Sequence, residues 1–150
     1  MDLPYLTSHW DAVRSALIET IDKFRDDELD FKPFADSRTV RQLMLHIAHE
    51  ENIEFNYGVA QTLNELPSEY DAGNYPTKAS IQTLLASVHA PAVNYLGRLK
   101  DDDLGQVIST PWGASQPLIE MLGHLIEHEI HHRAELSLIL GMLGRKGLDA

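Results

Sequence analysis

The chain has 150 residues, 43% of them apolar and 23% charged, the proportions of a globular protein and not of a disordered one. The 12 basic residues against 23 acidic ones leave a net charge of -11, which argues against nucleic acid and anionic membrane as partners, because phosphate binding draws on a basic face. Cysteine is absent, so neither a disulfide framework nor a thiolate metal site can form, and any metal must be held by His, Asp or Glu.

The length suits one domain over residues 1–150. Met1 to Trp10 lacks the charged and apolar regions of a secretory leader, and no apolar run approaches the length of a membrane span. The expected setting is cytoplasmic, with no membrane partner.

Helical periodicity opens at about Tyr5 and runs to Phe24, with Leu6, Trp10, Val13, Leu17, Ile21 and Phe24 on one stripe. Phe31-Lys32-Pro33-Phe34 interrupts it. A second helix is predicted from Thr39, where Thr at the N-cap and Gln42 three residues on match a capping box. It carries Val40, Leu43, Met44 and Ile47 and extends to about Leu63. Pro67, Gly73, Asn74 and Pro76 punctuate a connection. Thr77 then caps a third helix with Ile81, Leu84, Leu85, Val88, Val93 and Leu96, in which Pro91 should produce a kink or a break. Residues 101–117 are expected to be irregular, with a turn at Thr110-Pro111-Trp112-Gly113. The fourth helix spans about Pro117 to Leu143, closed by Gly144 and Gly147. Strand signals are nearly absent, so the fold class is all-α, a four-helix bundle, and bundle cores often hold metal sites on facing helices.

The 8 histidines are His9, His46, His49, His89, His124, His128, His131 and His132. At roughly 100° per residue, Leu118, Leu125, Leu136, Ile139 and Leu143 define the apolar face of the fourth helix. His132 falls near its middle and His128 on its edge, one turn earlier. The pair at i and i+4 can reach one ion. His124 lies further round, towards the mouth of such a site, and His131 points away. On the second helix His46 flanks the apolar face, beside Leu43 and Glu50, while His49 points to the solvated side. His9, His49, His89 and His131 are expected at the surface. A lone histidine on an apolar face is more often a core residue with a satisfied hydrogen bond than a ligand. The weight here rests on three converging residues.

His128-Glu129-Ile130-His131-His132 also spells H-E-x-x-H, the signature of a zinc hydrolase in which Glu129 would be general base. The metzincin extension does not follow, no downstream helix offers a third ligand, and Glu129 has an ordinary use as the i, i+4 partner of Arg133. The motif is therefore the weaker alternative.

His128-Glu129-Ile130-His131-His132-Arg133-Ala134-Glu135-Leu136 resembles the last-helix motif of the DinB/YfiT-like superfamily, often written H-x-x-x-H-R-G-Q-L. Leu43-Met44-Leu45-His46-Ile47-Ala48-His49-Glu50-Glu51 resembles its second-helix motif, and Phe31-Lys32-Pro33 followed by the Thr39 cap resembles the approach to that helix. The resemblance covers essentially the whole chain and departs at Ala134-Glu135, where Gly-Gln is common. It implies a four-helix bundle, often a homodimer, with a divalent metal on His46, His128 and His132. These are the three that the helical faces select.

Three neutral histidines leave an open coordination position, which marks a catalytic rather than a structural site. Glu50, Glu51 and Glu129 are the nearest candidates for orienting ligands or moving protons. Characterised members of the family imply a metal that activates a low-molecular-weight thiol, as in S-transferases and isomerases. A metal-activated water acting on a small molecule is the hydrolase version of the same site. The alternatives are a non-catalytic metal-binding, stress-associated bundle and, more weakly, a bundle whose histidines are only structural. Zinc or nickel fits three histidines best, with iron or manganese also compatible. Metal and activity are expected to be lost as pH falls near 6.5, where free imidazole protonates.

Overall fold

A computed structural model describes residues 2–147. Four helices make the bundle: α1 (Leu3–Asp22), α2 (Val40–Glu51), α3 (Lys78–Leu96) and α4 (Leu118–Met142). Helix α1 lies against α4 and α3, and α2 lies against α3 and α4. No described helix is long and apolar enough to cross a membrane.

The caps follow local chemistry. Asp2 accepts the Tyr5 N–H and opens α1. Thr39 accepts the Gln42 N–H while Gln42 accepts the Thr39 N–H, so the capping box forms as predicted. Thr77 and Ser80 exchange the same pair at the start of α3. Gly144, at φ 78°, turns the chain out of α4.

Helix α2 does not continue as an α-helix to Leu63. It widens into a π-helix over Asn52–Val59. Asn56 ties this segment to α3 by donating to the Val88 carbonyl at 3.2 Å. Gln61 then enters the left-handed region at φ 50°, and Thr62 N–H closes on the Asn56 carbonyl at 2.9 Å. Within the widened turns Gly58 leaves room for an indole: a Cβ there would lie 2.4 Å from the Trp112 ring. Trp112 in turn stacks on Tyr57, with ring centroids 6.3 Å apart.

Pro91 does not break α3, which runs through it as one element. The buried face is Ile81, Leu85, Val88, Ala92 and Leu96, so Ala92 takes the core place predicted for Val93, which is 48% exposed. Residues 101–117 are also more ordered than expected. Strands β1 (Val107–Ser109) and β2 (Ser115–Pro117) pair antiparallel, with Ile108 opposite Gln116. The turn between them falls at the predicted residues, with Gly113 at φ 89°. Strands of three residues are too short to carry a readable period.

The core has two halves. One gathers Leu17, Ile21, Met44, Ile47, Leu85 and Leu136. The other gathers Leu6, Trp10, Phe55, Ala92, Leu122 and Leu125. Between them every helix contributes a polar or charged side chain at its buried face: Arg14 from α1, Glu51 from α2, His89 from α3, and Glu129 with His132 from α4.

Candidate metal centre

Helices α2 and α4 bring His46, His128 and His132 together. One donor nitrogen from each lies within 4.8 Å of the others. The ring centroids are 5.3 Å apart for His46 and His128, 4.9 Å for His46 and His132, and 4.3 Å for His128 and His132. Their i, i+4 spacing on α4 brings the Nε2 atoms of His128 and His132 to 3.0 Å.

The partners of the other ring nitrogens fix what these atoms offer. His132 Nδ1 lies 2.6 Å from Glu135 Oε2 and donates its N–H there, which leaves a lone pair on Nε2. His46 Nδ1 lies 3.6 Å from Glu50 Oε1. Two imidazole nitrogens facing each other at hydrogen-bond distance, with a third beside them and carboxylates behind two of the rings, suit a shared cation. Glu135 is the residue at which the last-helix motif departs from its usual Gln, and here the departure gives His132 a charged partner. Glu135→Gln should weaken zinc binding about tenfold, read by chelator competition, because the neutral amide makes His132 a poorer donor. Unchanged affinity would show that this contact does not tune the ligand.

Burial, reinforced for His46 by the charge of Arg38 and for His128 by its histidine neighbours, depresses both imidazoles. His46 falls to about 4 and His128 to about 3. Both rings therefore remain unprotonated, with a lone pair free to donate, well below pH 6.5.

The remaining carboxylates divide. Glu50 stands behind His46, as the sequence suggested. Glu51 and Glu129 do not join the three histidines. Both pair with the Arg14 guanidinium. Glu129 Oε1 also accepts the Trp10 indole N–H at 2.7 Å, and Glu51 Oε1 lies 2.6 Å from His89 Nδ1. Burial pushes the Glu129 carboxyl above the ordinary carboxylate range, against the pull of Arg14. Glu129 is thus turned into the polar layer and not paired with Arg133, and a general-base role of the H-E-x-x-H kind has no geometric support.

Two surface expectations fail. His49 is 7% exposed, edge-on to Tyr70 at 6.2 Å between ring centroids, because the connection after α2 folds back over that side of the helix. His89 is buried beneath Trp10 and Glu51, its side chain 12% exposed. His131 does point away, 65% exposed. His124, one turn before His128, meets Glu54 at 3.1 Å. Burial and neighbouring Glu50 raise the Glu54 carboxyl, while His124 lowers it. Glu54 escaped the sequence reading because it falls in the π-helical segment, whose phase an α-helical period does not describe.

A cavity of about 360 Å³ opens beside His46, with His46 and His49 in its wall together with Gln42, Leu45 and Tyr70. The cavity leaves room for a small molecule beside His46.

No curated protein matches the chain. Solved structures do. YfiT from Bacillus subtilis, described as a probable metal-dependent hydrolase with an unusual four-helix bundle topology, is 20% identical with a TM-score of 0.71, over 96% of this chain and 89% of its own. The mycothiol-dependent maleylpyruvate isomerase is 13% identical with a TM-score of 0.63, over 88% of this chain and 60% of its own. The colibactin self-resistance protein ClbS, solved with double-stranded DNA, is 13% identical with a TM-score of 0.69, over 93% of this chain and 96% of its own. A family model described as the DinB superfamily matches residues 9–136, and the chain belongs to that superfamily.

Proposed function

We propose that this protein is a divalent-metal-dependent enzyme acting on a small molecule, with His46, His128 and His132 as the metal ligands. The observation that carries the reading is the convergence of three imidazole donors, one of which, His46, also lines a cavity. A divalent ion held there, zinc or nickel before iron or manganese, supplies a Lewis acid that makes a thiol or a water molecule nucleophilic near neutral pH. Glu135 holds His132 in the tautomer that presents Nε2, and Glu50 stands behind His46. The Glu54–His124 pair, on the adjacent turns of the same two helices, is placed to accept or return a proton.

Between the two nucleophiles, the hydrolase description of YfiT supports water and the mycothiol-dependent isomerase supports a low-molecular-weight thiol. A non-catalytic metal-binding bundle is the second reading. The cavity at His46 favours the enzyme, because a storage or structural site gains nothing from an open wall. The metal-loaded protein should turn over at least one member of a panel of thiols with electrophiles, esters, amides and phosphates, and His132→Ala should not. Metal-loaded protein inert towards the whole panel would favour the second reading.

A further inference from the structure

The loop before α2 forms a wall between two hollows. On one side is the cavity at His46. On the other is a hollow of about 550 Å³ between residues 33–38 and the C-terminal half of α4. Its apolar lining includes Pro33, Phe34, Leu138, Ile139 and Met142. Phe34, Leu138 and Met142 are 68%, 69% and 53% exposed. Single exposed apolar residues need no explanation, but three converging on one concave face do. Glu135, the partner of His132 Nδ1, borders the same hollow, so the hollow adjoins the histidine cluster.

Arg38 faces both hollows. Its guanidinium makes no ion pair and no hydrogen bond among the described residues, in a chain with almost twice as many acidic as basic residues. A free guanidinium fork presents planar, bidentate donors that match a carboxylate. Asp36 borders the same two hollows and opposes a second negative charge, which favours one carboxylate over a phosphate.

We propose that the ligand of this site is an amphipathic monocarboxylate, its carboxylate held by Arg38, its apolar body in the hollow between Phe34, Leu138 and Met142, and its reactive part directed to the His46 cavity. As a statement about substrate this rests on the metalloenzyme reading, but the binding site itself does not. The volume suits a small molecule and not a protein segment.

Calorimetric titration with octanoate, butanoate and octylamine tests it, on zinc-loaded protein and again after removal of metal by chelation. Octanoate should bind both forms, butanoate at least about tenfold more weakly because of the lost apolar contact, and octylamine not at all. Arg38→Gln should weaken octanoate about tenfold or more. Leu138→Asp should abolish the advantage of the longer chain. Both substitutions change exposed side chains, so the fold is not at risk. Octylamine binding as well as octanoate, or octanoate binding unaffected by Arg38→Gln, or no octanoate binding to either form, would overturn the proposal. So would Leu138→Asp turning a dimer into a monomer with octanoate affinity unchanged, since a second copy would then cover the hollow. If the protein takes up no metal, the metalloenzyme reading falls, and the metal-free titration still decides this one.

Discussion

Arg14→Met should lower the stability of the protein by about 3–5 kcal/mol, because it removes one partner of a buried charge cluster. The Arg14 side chain is 11% exposed, and those of Glu51 and Glu129 are 3% exposed. Arg14 is the cation that both carboxylates share. Without it, two carboxylates remain in the middle of a bundle between two apolar clusters. Proton uptake by Glu129, already raised by burial, offsets part of the cost. Urea denaturation reads the result: with a slope of about 1–3 kcal/mol per molar for a small protein, the midpoint should fall by more than 1 M. The triple variant Arg14→Met, Glu51→Gln, Glu129→Gln should recover most of the loss, since no unpaired charge is then buried. A single variant within 1 kcal/mol of the parent would mean that the layer is hydrated and not a structural clamp.

Acid should unfold the metal-free protein earlier than the metal-loaded one. His46 and His128 titrate near 4 and 3 in the folded chain and near 6.5 when unfolded. Between those limits the unfolded state binds more protons, so stability falls as pH drops from 6.5. Their mutual repulsion makes the two shifts non-additive, and a combined loss on the order of 3 kcal/mol by pH 4.5 is expected. Metal bound only to the folded state opposes this, by about 4 kcal/mol when free metal is a thousandfold above its dissociation constant. The check is a set of urea midpoints from pH 7 to 4.5, with and without zinc. His128→Leu, measured metal-free, should flatten the pH dependence, since it removes the more depressed of the two groups. A metal-free parent whose stability is level over that range would contradict the burial of these rings.

The bundle was legible because its apolar stripes are long and its caps are local. Thr39 and Gln42 announce the start of α2 by their spacing alone. His128 and His132 were legible for the same reason, since an i, i+4 pair shares a face whatever the partner helix does, and His46 came from the phase of the apolar stripe on α2. The carboxylates were not. Glu50, Glu51 and Glu129 look equivalent in sequence, but only the structure shows that Arg14 claims the last two. The clue was Arg14 itself, four residues after Trp10 on the buried stripe of α1, a place where a charge needs a partner. His49 was misplaced because helical phase says which way a side chain points but not what folds over it; the connection carrying Tyr70 covers that side. Glu54 lies in turns wider than an α-helix, and no α-helical wheel could have placed it.

Whether one ion sits on His46, His128 and His132 is decided by the metal content of the purified protein and of single alanine variants, measured by elemental analysis on folded samples. The parent should carry close to one divalent ion per chain. His46→Ala, His128→Ala and His132→Ala should each lose it. His131→Ala and His49→Ala should keep it, the first because its ring points to solvent and the second because its ring packs against Tyr70. Retention of metal in His46→Ala with loss in His49→Ala, or equal metal content in all five variants, would contradict the assignment.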